Sequence, residues 1–478
     1  MTYTAPPGVF DIVPFDEKDP WKSSYLWQHV EATIRTLAQE YGFREIRTPL
    51  FEKTELLARG VGDTSDIVTK EMYSFEDKGG RNLTLRPEGT APAIRAYIEN
   101  QLIQKPYQQK LYYIAPMFRY ERSQAGRYRQ HHQFGVEAIG NGTPETDAEI
   151  IDMAYTLYGR LGIKNLTVYI NSLGTPSCRE QYREALKKYL TSYFDSLSKE
   201  SQARFEKNPL RILDSKDPED QKIVSSAPTI LQFLCEEGKR HFEKVQSLLK
   251  ALQIPFQVNP LLVRGLDYYN NTVFEIVSGN LGAQNSIGGG GRYDGLIRLL
   301  GGPDLPAFGF GTGIERIVQT MLNQQIALPS KPATTLFIIP LGEAARETAF
   351  RLQKELRQAH ISVETDFSNR KLGKLMNHAN EIGATFVGIL GDDELKEGVI
   401  RAERHVHMNF DDAARYGVKN GDRIRISVKE RRIELLVDEA ELEIEATGAV
   451  DEELELDHTH RAKAHHVEAP AKGGPRFI

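Results

Sequence analysis

Apolar residues recur at two different spacings in the first third of the chain, and each spacing predicts one type of element. Between 21 and 42 they stand three or four positions apart, which predicts an amphipathic helix. These apolar positions are Leu26, Val30, Ile34, Leu37 and Tyr41. Alternating apolar and polar residues predict strands at 43–51, 81–86, 111–120 and 130–140. A second helix is predicted over 90–104.

The middle of the chain interrupts this pattern with a charged, helix-rich stretch. Residues 171–257 are punctuated by prolines and predict a helical insertion with its own packing. The segments that follow are a strand at 271–276, a glycine-rich turn at 288–291 and a glycine-rich stretch at 309–317 that leads into a helix. We therefore predict a domain formed by 1–170 and 258–325, with 171–257 inserted into it.

The pattern changes again from about residue 334. Strands predicted at 335–340, 361–364 and 385–390 alternate with helices, an order typical of a small α/β domain. We assign this domain to 333–400. Residues 401–478 form an atypical extension, and their acidic and His-rich stretches predict partial disorder. The predicted fold class is α+β, followed by an α/β domain and a short β-rich tail.

Composition narrows the class of protein. With 478 residues, about three domains are expected. The 60 basic and 66 acidic residues give a net charge of −6, which argues against indiscriminate coating of nucleic acid but allows a local RNA-binding surface. No apolar run reaches about 18 residues, so no membrane span is expected, and we expect no secretory signal. Two cysteines are too few for a disulfide framework, which favours a reducing, cytoplasmic location.

Charged side chains cluster on the hairpin predicted over 118–137. Arg119 and Glu121 share one face of its first strand, and Gln133 and Glu137 share one face of its second. Arg127 lies in the loop between them. Guanidinium groups bind phosphate with paired hydrogen bonds, and carboxylate and amide groups can bind an amine or a heterocycle. The set suits a nucleotide with a zwitterionic small molecule, although a solvated hairpin fits the spacing equally well.

Three further motifs follow the insertion. RGLDYY places Arg264 beside Tyr268 and Tyr269, and paired tyrosines either pack a core or contact a ligand. IGGGGRYDGL, at 287–296, matches neither the P-loop spacing nor G-x-G-x-x-G, which disfavours a Walker-type NTPase and a Rossmann dehydrogenase. GFGTGIER ends in Arg316 near the start of a helix, where an isolated arginine is usually a surface residue.

Taken in order with LRPEGT at 85–90, these motifs make the chain from about 3 to 396 resemble the histidyl-tRNA synthetase family, which belongs to class II of the aminoacyl-tRNA synthetases. The resemblance implies an antiparallel-sheet catalytic core with a helical insertion and an α/β anticodon-binding domain. It also implies ATP-dependent ligation of L-histidine to tRNA(His) through histidyl-adenylate, releasing AMP and pyrophosphate. The alternative is a non-catalytic, histidine-sensing relative, which the retained arginines at 119, 264 and 316 disfavour.

The resemblance also implies which residues bind each substrate. Those implied to bind histidine are Glu88, Gly89, Thr90, Gln133, Glu137, Tyr268 and Tyr269. Those implied to bind ATP, which is expected with Mg²⁺, are Arg119, Glu121, Arg127 and Arg316. Arg119 and Arg264 are the implied catalytic residues, with Arg264 bridging the histidine carboxylate and the α-phosphate. A homodimer is expected, and Arg370, Lys371 and Lys374 could contact RNA phosphates or form an ordinary solvated helix face.

The chain departs from the family after residue 396. Residues 397–428 resemble part of the second barrel of the phosphate propanoyltransferase of bacterial microcompartments, in which the matching histidines bind zinc. Here these are His405 and His407, which would share one face of a strand. The first barrel has no counterpart in this sequence, so we expect neither acyltransferase activity nor zinc in the tail. The anticodon-binding domain is expected to be incomplete.

Overall fold

The computed structural model describes residues 3–404 except 63, 64, 66, 105–107, 122–126, 280–285, 330, 332, 369 and 398, together with 423–427 and 432–436. His405 and His407 therefore lie outside the described residues. The chain divides into two compact units between Pro329 and Ser330. In the described residues, no helix is both long enough and apolar enough to cross a bilayer.

The helices of the first unit pack mainly around its largest sheet. They are α1 (Ser24–Glu40), α2 (Thr54–Val61), α3 (Thr90–Glu99), α4 (Pro144–Arg160), α5 (Pro176–Thr191), α6 (Lys199–Lys207), α7 (Pro218–Ser225), α8 (Glu236–Ala251), α9 (Leu296–Leu299) and α10 (Ile314–Asn323). The predicted apolar stripe of α1 is buried from Leu26 to Leu37. Tyr41 follows the end of α1 and is only partly buried, with its hydroxyl donating to Asp152 at 2.6 Å.

The strands of the first unit form one large and one small sheet. They are β1 (Arg44–Glu45), β2 (Phe51–Lys53), β3 (Tyr73–Glu76), β4 (Asn82–Leu85), β5 (Gln109–Phe118), β6 (Gln130–Ile139), β7 (Leu166–Ser172), β8 (Phe256–Val258), β9 (Asn270–Ser278), β10 (Ser286–Arg292) and β11 (Ala307–Gly313). The large sheet has the order β1-β5-β6-β11-β10-β9-β7-β8 and is antiparallel except at its two edge pairs. The small antiparallel sheet has the order β2-β4-β3. The predicted fold class is confirmed.

Two predicted elements are wrong in detail. The strand predicted over 43–51 is split, because β1 pairs with the large sheet whereas β2 pairs with the small one. The glycine-rich turn predicted at 288–291 is instead the middle of β10. Glycine is needed there for packing, since a Cβ on Gly290 would lie only 2.0 Å from the carbonyl oxygen of Gly309 on the next strand.

The apolar core of the first unit has separate parts. Side chains from α1, α4 and α10 share its main cluster with the large sheet. The helices α5–α7 contribute to a different cluster, which includes Tyr182, Leu186, Leu213 and Val224. Helix α8 belongs to the main cluster through Phe242, Val245 and Leu249. The segment 171–257 thus contains both helices with a core of their own and a helix packed on the sheet.

The second unit is a single mixed sheet with helices. Its helices are α11 (Glu343–Gln358), α12 (Leu372–Glu381) and α13 (Asp392–Glu397). Its strands are β12 (Leu336–Pro340), β13 (Val363–Thr365), β14 (Phe386–Leu390), β15 (Val399–Arg404), β16 (Arg423–Ser427) and β17 (Arg432–Leu436), in the order β13-β12-β14-β15-β16-β17. The first three strands are parallel, as the βαβαβ pattern predicts, and β15–β17 continue the same sheet in antiparallel pairs.

Candidate active site

A cavity of about 290 Å³ lies over the middle of the large sheet. Gly289 and Gly311 line its floor, and Gly135, Gly311 and Gly289 are neighbours in register on β6, β11 and β10. All three lie in one row that runs from Tyr113 on β5 to Glu275 on β9. The missing Cβ atoms let three side chains pack directly on this row, with the Tyr113 ring over Gly135, Gln133 over Gly311 and Arg264 over Gly289.

Arginines from three separate motifs line this cavity, namely Arg119, Arg264 and Arg316, together with Arg127. Arg119 extends from the end of β5 and donates from Nε to the Pro87 carbonyl at 2.8 Å. Arg316, on the first turn of α10, donates from Nη1 to the Ser286 carbonyl at 2.5 Å. The segments that carry them are far apart in sequence, and the antiparallel sheet brings them together.

Arg264 holds a position suited to a ligand. Its Nη1 contacts Glu275 Oε1 at 3.4 Å, and its guanidinium lies 5.9 Å from the ring centre of Tyr269. Its Nε is buried and has no hydrogen-bond partner among the described residues. A buried N–H group without a partner is costly unless a ligand supplies the acceptor. Arg264 is therefore a strong candidate for contact with an anion.

His131, a residue of β6, lines the cavity beside the arginines. Burial, followed by the positive charges of Arg119, His132 and Arg316, lowers the pKa of His131 to about 3. The imidazole is therefore neutral at physiological pH. Burial is the larger cause of this shift, and the nearby guanidinium groups, which add to it, also favour a bound polyanion.

Glu88 and Thr90 lie where the LRPEGT motif enters α3. The Glu88 carboxylate accepts from the backbone N–H groups of Thr90 at 2.6 Å and Ala91 at 2.9 Å, which caps the helix. Burial raises the pKa of Glu88, although these two hydrogen bonds oppose the rise. Both residues line the cavity, so this carboxylate faces the ligand space as well as the helix end.

Glu137 lies beneath the cavity and is only 1% exposed. Glu137 is not among the described residues that line the cavity. Its carboxylate accepts hydrogen bonds from the hydroxyls of Thr90 at 2.8 Å, Tyr113 at 3.1 Å and Tyr293 at 2.5 Å. Burial raises the pKa of Glu137 to about 8. Glu137 therefore fixes the hydroxyls of two wall residues, Thr90 and Tyr293.

Polar and aromatic side chains complete the wall. Tyr268 and Tyr269 have ring centres 4.6 Å apart, and burial raises the pKa of each, so both phenols are neutral. Gln133 extends over Gly311, where a Cβ would lie 2.3 Å from Gln133 Nε2. Gly89 lies under the Tyr113 ring, because a Cβ on Gly89 would lie only 2.2 Å from that ring. Glu121 also lines the cavity and contacts Arg127 at 3.4 Å.

The sequence analysis missed several residues of this site. His131 occupies the same strand face as Gln133, and strand alternation alone would have included it. Tyr293 lies within the GGGGRYDGL motif and also lines the cavity, which the motif alone did not indicate. Glu315, next to Arg316, accepts from the His132 backbone at 2.8 Å while its Oε2 has no hydrogen-bond partner among the described residues.

The chain is similar to known proteins in family, in sequence and in structure. The family model "Histidyl-tRNA synthetase" matches residues 20–317, and the model "Anticodon binding domain" matches 335–430. Histidine–tRNA ligase of Protochlamydia amoebophila (strain UWE25) is 63% identical over 396 residues, covering 83% of this chain and 93% of the relative. That of Pelotomaculum thermopropionicum is 48% identical over 400 residues, covering 84% and 92%. Apo S. aureus histidyl-tRNA synthetase has a TM-score of 0.71 at 37% identity, covering 87% of this chain and 99% of that one.

An arginine-lined cavity on a mainly antiparallel sheet, with an anticodon-binding domain after it, defines a class II aminoacyl-tRNA synthetase. The chain belongs to the histidyl-tRNA synthetase family. It is an aminoacyl-tRNA ligase that charges tRNA with histidine at the expense of ATP. The resemblance inferred from the motifs is thereby confirmed, and the non-catalytic alternative is disfavoured. The anticodon-domain match extends past residue 396, where that resemblance ends, across β15 and β16.

Proposed function

We propose that the cavity catalyses attack of the histidine carboxylate on the α-phosphate of ATP, forming histidyl-adenylate and releasing pyrophosphate, before transfer to tRNA(His) releases AMP. Both reactants are anions, so alignment and charge neutralisation should supply most of the rate enhancement. Support comes chiefly from Arg264, which lines the cavity beside Tyr269 and whose ion-pair contact with Glu275 is 3.4 Å long. Arg264 bridges the carboxylate and the α-phosphate and lowers their mutual repulsion.

The other arginines divide the triphosphate between them in this proposal. Arg119 contacts the α-phosphate and Arg316 the γ-phosphate end, while Arg127 contacts ATP or the tRNA terminus. Their shared cavity supports this arrangement. Because guanidinium groups keep their charge at every physiological pH, the phosphate site does not depend on protonation of the arginines.

Histidine takes the other end of the cavity. Glu88 and Thr90 hold its amino group, with Gly89 allowing the close approach of the Tyr113 ring that backs them. Gln133, Tyr268 and Tyr269 contact the amino acid, and Glu137 helps to select the imidazole by fixing the hydroxyls of Thr90 and Tyr293. Sites built from such paired polar groups reject ligands of the same shape that lack the matching atoms.

Magnesium arrives with ATP in this proposal. The described residues contain no cluster of three metal-binding side chains, so a dedicated protein cage is not expected. Glu121 and Glu315 nevertheless line the cavity; Glu315 Oε2 has no hydrogen-bond partner among the described residues, and Glu121 Oε2 has only a long ion-pair contact, 3.4 Å to Arg127. This pair suits an ion held by one or two carboxylates and by phosphate oxygens. Magnesium would supply neutralisation of phosphate charge.

The partners beyond the cavity are part of the same proposal. We expect a homodimer, and we expect the second unit to bind tRNA(His) with phosphate contacts from Arg370, Lys371 and Lys374, which are exposed at the start of α12. A cytoplasmic location is expected from the free thiols of both cysteines. The propanoyltransferase resemblance of 397–428 and the expected absence of zinc in the tail stay predictions, and His405 and His407 lie outside the described residues.

Replacement of Arg264 by alanine tests the proposed reaction most simply. Histidine-dependent ATP–pyrophosphate exchange should fall about 10³-fold, because each anion then faces the other without the bridging charge. The matched variant Arg264→Lys keeps the charge without the fork of donors and should retain part of the rate. Circular dichroism should show an unchanged fold in both. Near-wild-type exchange in Arg264→Ala would remove the proposed role.

A further inference from the structure

The two cysteines of the sequence are 57 positions apart and adjacent in space. Cys178 stands in the first turn of α5, and Cys235 caps the start of α8. The backbone N–H of Cys235 donates to Cys178 Sγ over 3.3 Å. Because only Cα and Cβ separate that nitrogen from the Sγ of Cys235, the two thiols lie within reach of each other. Cys178 is 4% exposed, whereas Cys235 is exposed.

The surroundings of Cys178 favour the thiolate. Its sulfur also accepts a hydrogen bond from the Thr175 hydroxyl at 3.1 Å, and the first turns of two sixteen-residue helices meet there. Burial alone would raise the pKa of the Cys178 thiol, but the hydrogen bonds from Thr175 and Cys235 outweigh burial and hold it below the ordinary value. Thiols near helix N-termini are the reactive ones in proteins.

We propose that Cys178 and Cys235 form a reversible dithiol–disulfide site that responds to small-molecule disulfides of the glutathione class. The exposed Cys235 thiolate attacks one sulfur of the small disulfide, whose S–S bond breaks to release one thiolate, which takes up the proton lost by Cys235. The Cys178 thiolate then attacks the Cys235 sulfur, the protein disulfide forms, and the second small thiol leaves with the remaining proton. Two protein thiols are oxidised and one small disulfide is reduced to two thiols.

A disulfide between Cys178 and Cys235 would affect the end of the cavity proposed to bind histidine. In this proposal, closing the S–S bond draws the first turn of α5 towards the start of α8. Arg179 directly follows Cys178 and donates to the Asp267 carbonyl at 3.4 Å. Asp267 immediately precedes Tyr268 and Tyr269 of the cavity wall. The oxidised site therefore weakens histidine binding and leaves ATP binding unchanged, an effect that rests on the proposed role of the tyrosines.

The test uses the full chain equilibrated in buffers with increasing ratios of oxidised to reduced glutathione. Free thiols are then blocked with an alkylating reagent, and peptides are identified by mass spectrometry. We expect a linked pair of peptides containing 178 and 235, lighter by two hydrogen atoms than the separate peptides, which disappears with dithiothreitol. In the exchange assay the KM for histidine should rise several-fold on oxidation, and the KM for ATP should not.

The variant Cys235→Ala is the matched control, because that side chain is exposed and its loss leaves the buried Cys178 in place. It should match the reduced wild type in activity and stay unaffected by the oxidised buffer. Persistent alkylation of both thiols, or a stable glutathione adduct on Cys235, would overturn the proposal, as would a disulfide that leaves the KM for histidine unchanged. A reduced enzyme without exchange activity would instead count against the proposed function.

Discussion

Two arginines beside the paired strands β9 and β10 have opposite surroundings. Arg264 lines the cavity, is 21% exposed at its side chain, and has one ion-pair contact at 3.4 Å with Glu275. Arg292, at the end of β10, is 1% exposed and pairs with the fully buried Asp147. Arg292 also donates to the carbonyl of Thr143 at 3.3 Å and contacts Asp294 at 3.3 Å. The Nε of each guanidinium has no hydrogen-bond partner among the described residues, so the two differ in exposure and ion pairing: Arg264 faces the cavity, whereas the charge of Arg292 is balanced by a buried carboxylate.

The difference shows why arginines in neighbouring motifs cannot be assigned by residue type alone. Asp147 on α4 also accepts from His241 Nε2 of α8 at 2.8 Å, so Arg292 ties the GGGGRYDGL motif to two helices of the core. A buried ion pair of this kind holds a geometry, whereas incompletely paired cations around a cavity attract a substrate. Loss of each arginine should therefore be detected by a different measurement.

Removal of Arg292 should give the largest change in stability. Among the described residues, the variant Arg292→Met leaves the buried Asp147 paired only with His241, which should cost about 3–5 kcal/mol of unfolding free energy. Urea unfolding monitored by circular dichroism measures this. Adding Asp147→Leu should restore part of the loss, because the uncompensated charge is gone. If the double variant is no more stable than the single one, the pair is not the source of the effect. Arg264→Ala should change stability by less than about 1 kcal/mol.

Glu137 predicts a smaller effect that depends on pH. Its folded-state pKa of about 8 lies above the ordinary glutamate value of 4.5, so the folded chain holds a proton that the unfolded chain has lost between these values. Stability from this group is therefore present at low pH and falls as pH rises towards 8, by at most about 1.4 kcal/mol per pH unit. Glu137→Gln stays neutral, so its stability relative to the wild type should increase from pH 5 to pH 8. A difference that does not vary with pH would contradict a protonated Glu137.

The glycine floor of the cavity gives the smallest predicted effect. In Gly311→Ala the new Cβ would lie 2.3 Å from Gln133 Nε2, so the flexible amide must move away from its place over the row. We expect the KM for histidine to rise about 10-fold, equivalent to about 1.4 kcal/mol, with the KM for ATP less affected. Gly159→Ala on α4 has open space around its Cβ and should change neither value. Equal changes in the KM for histidine in the two variants would show that Gly311 has no particular part in histidine binding.

Much of this architecture could be predicted from periodicity and motif order. The apolar stripe of α1 and the alternation of β5 and β6 follow directly from the sequence, and the three cavity arginines came from motifs of a known order. Four consecutive glycines were misjudged, because glycine is typical of turns and only the neighbouring strand reveals the close packing of β10. Sequence spacing also could not show that Arg264 faces the cavity whereas Arg292 is buried in an ion pair. Their partners, Glu275 and Asp147, are brought to them by the fold.

Glu137 and the cysteines show a second limit of sequence analysis. The sequence placed Glu137 on the same strand face as Gln133, and both are on that face, but only the structure shows that three hydroxyls surround the carboxylate under the cavity floor. Cys178 and Cys235 are 57 positions apart, and nothing in their spacing predicts the contact between them. Both features depend on contacts between residues distant in sequence, which periodicity does not encode.

The most direct test of the central claim is the thermodynamic coupling between the two substrates. Calorimetry would give the Kd of histidine with and without an ATP analogue that cannot be cleaved at the α-phosphate, in the wild type and in Arg264→Ala. We predict that the analogue weakens histidine binding at least about 10-fold more in Arg264→Ala than in the wild type. Histidinol, which lacks the carboxylate, should show no such difference. The same coupling for histidine in both proteins would contradict the proposal that Arg264 holds the two anions together.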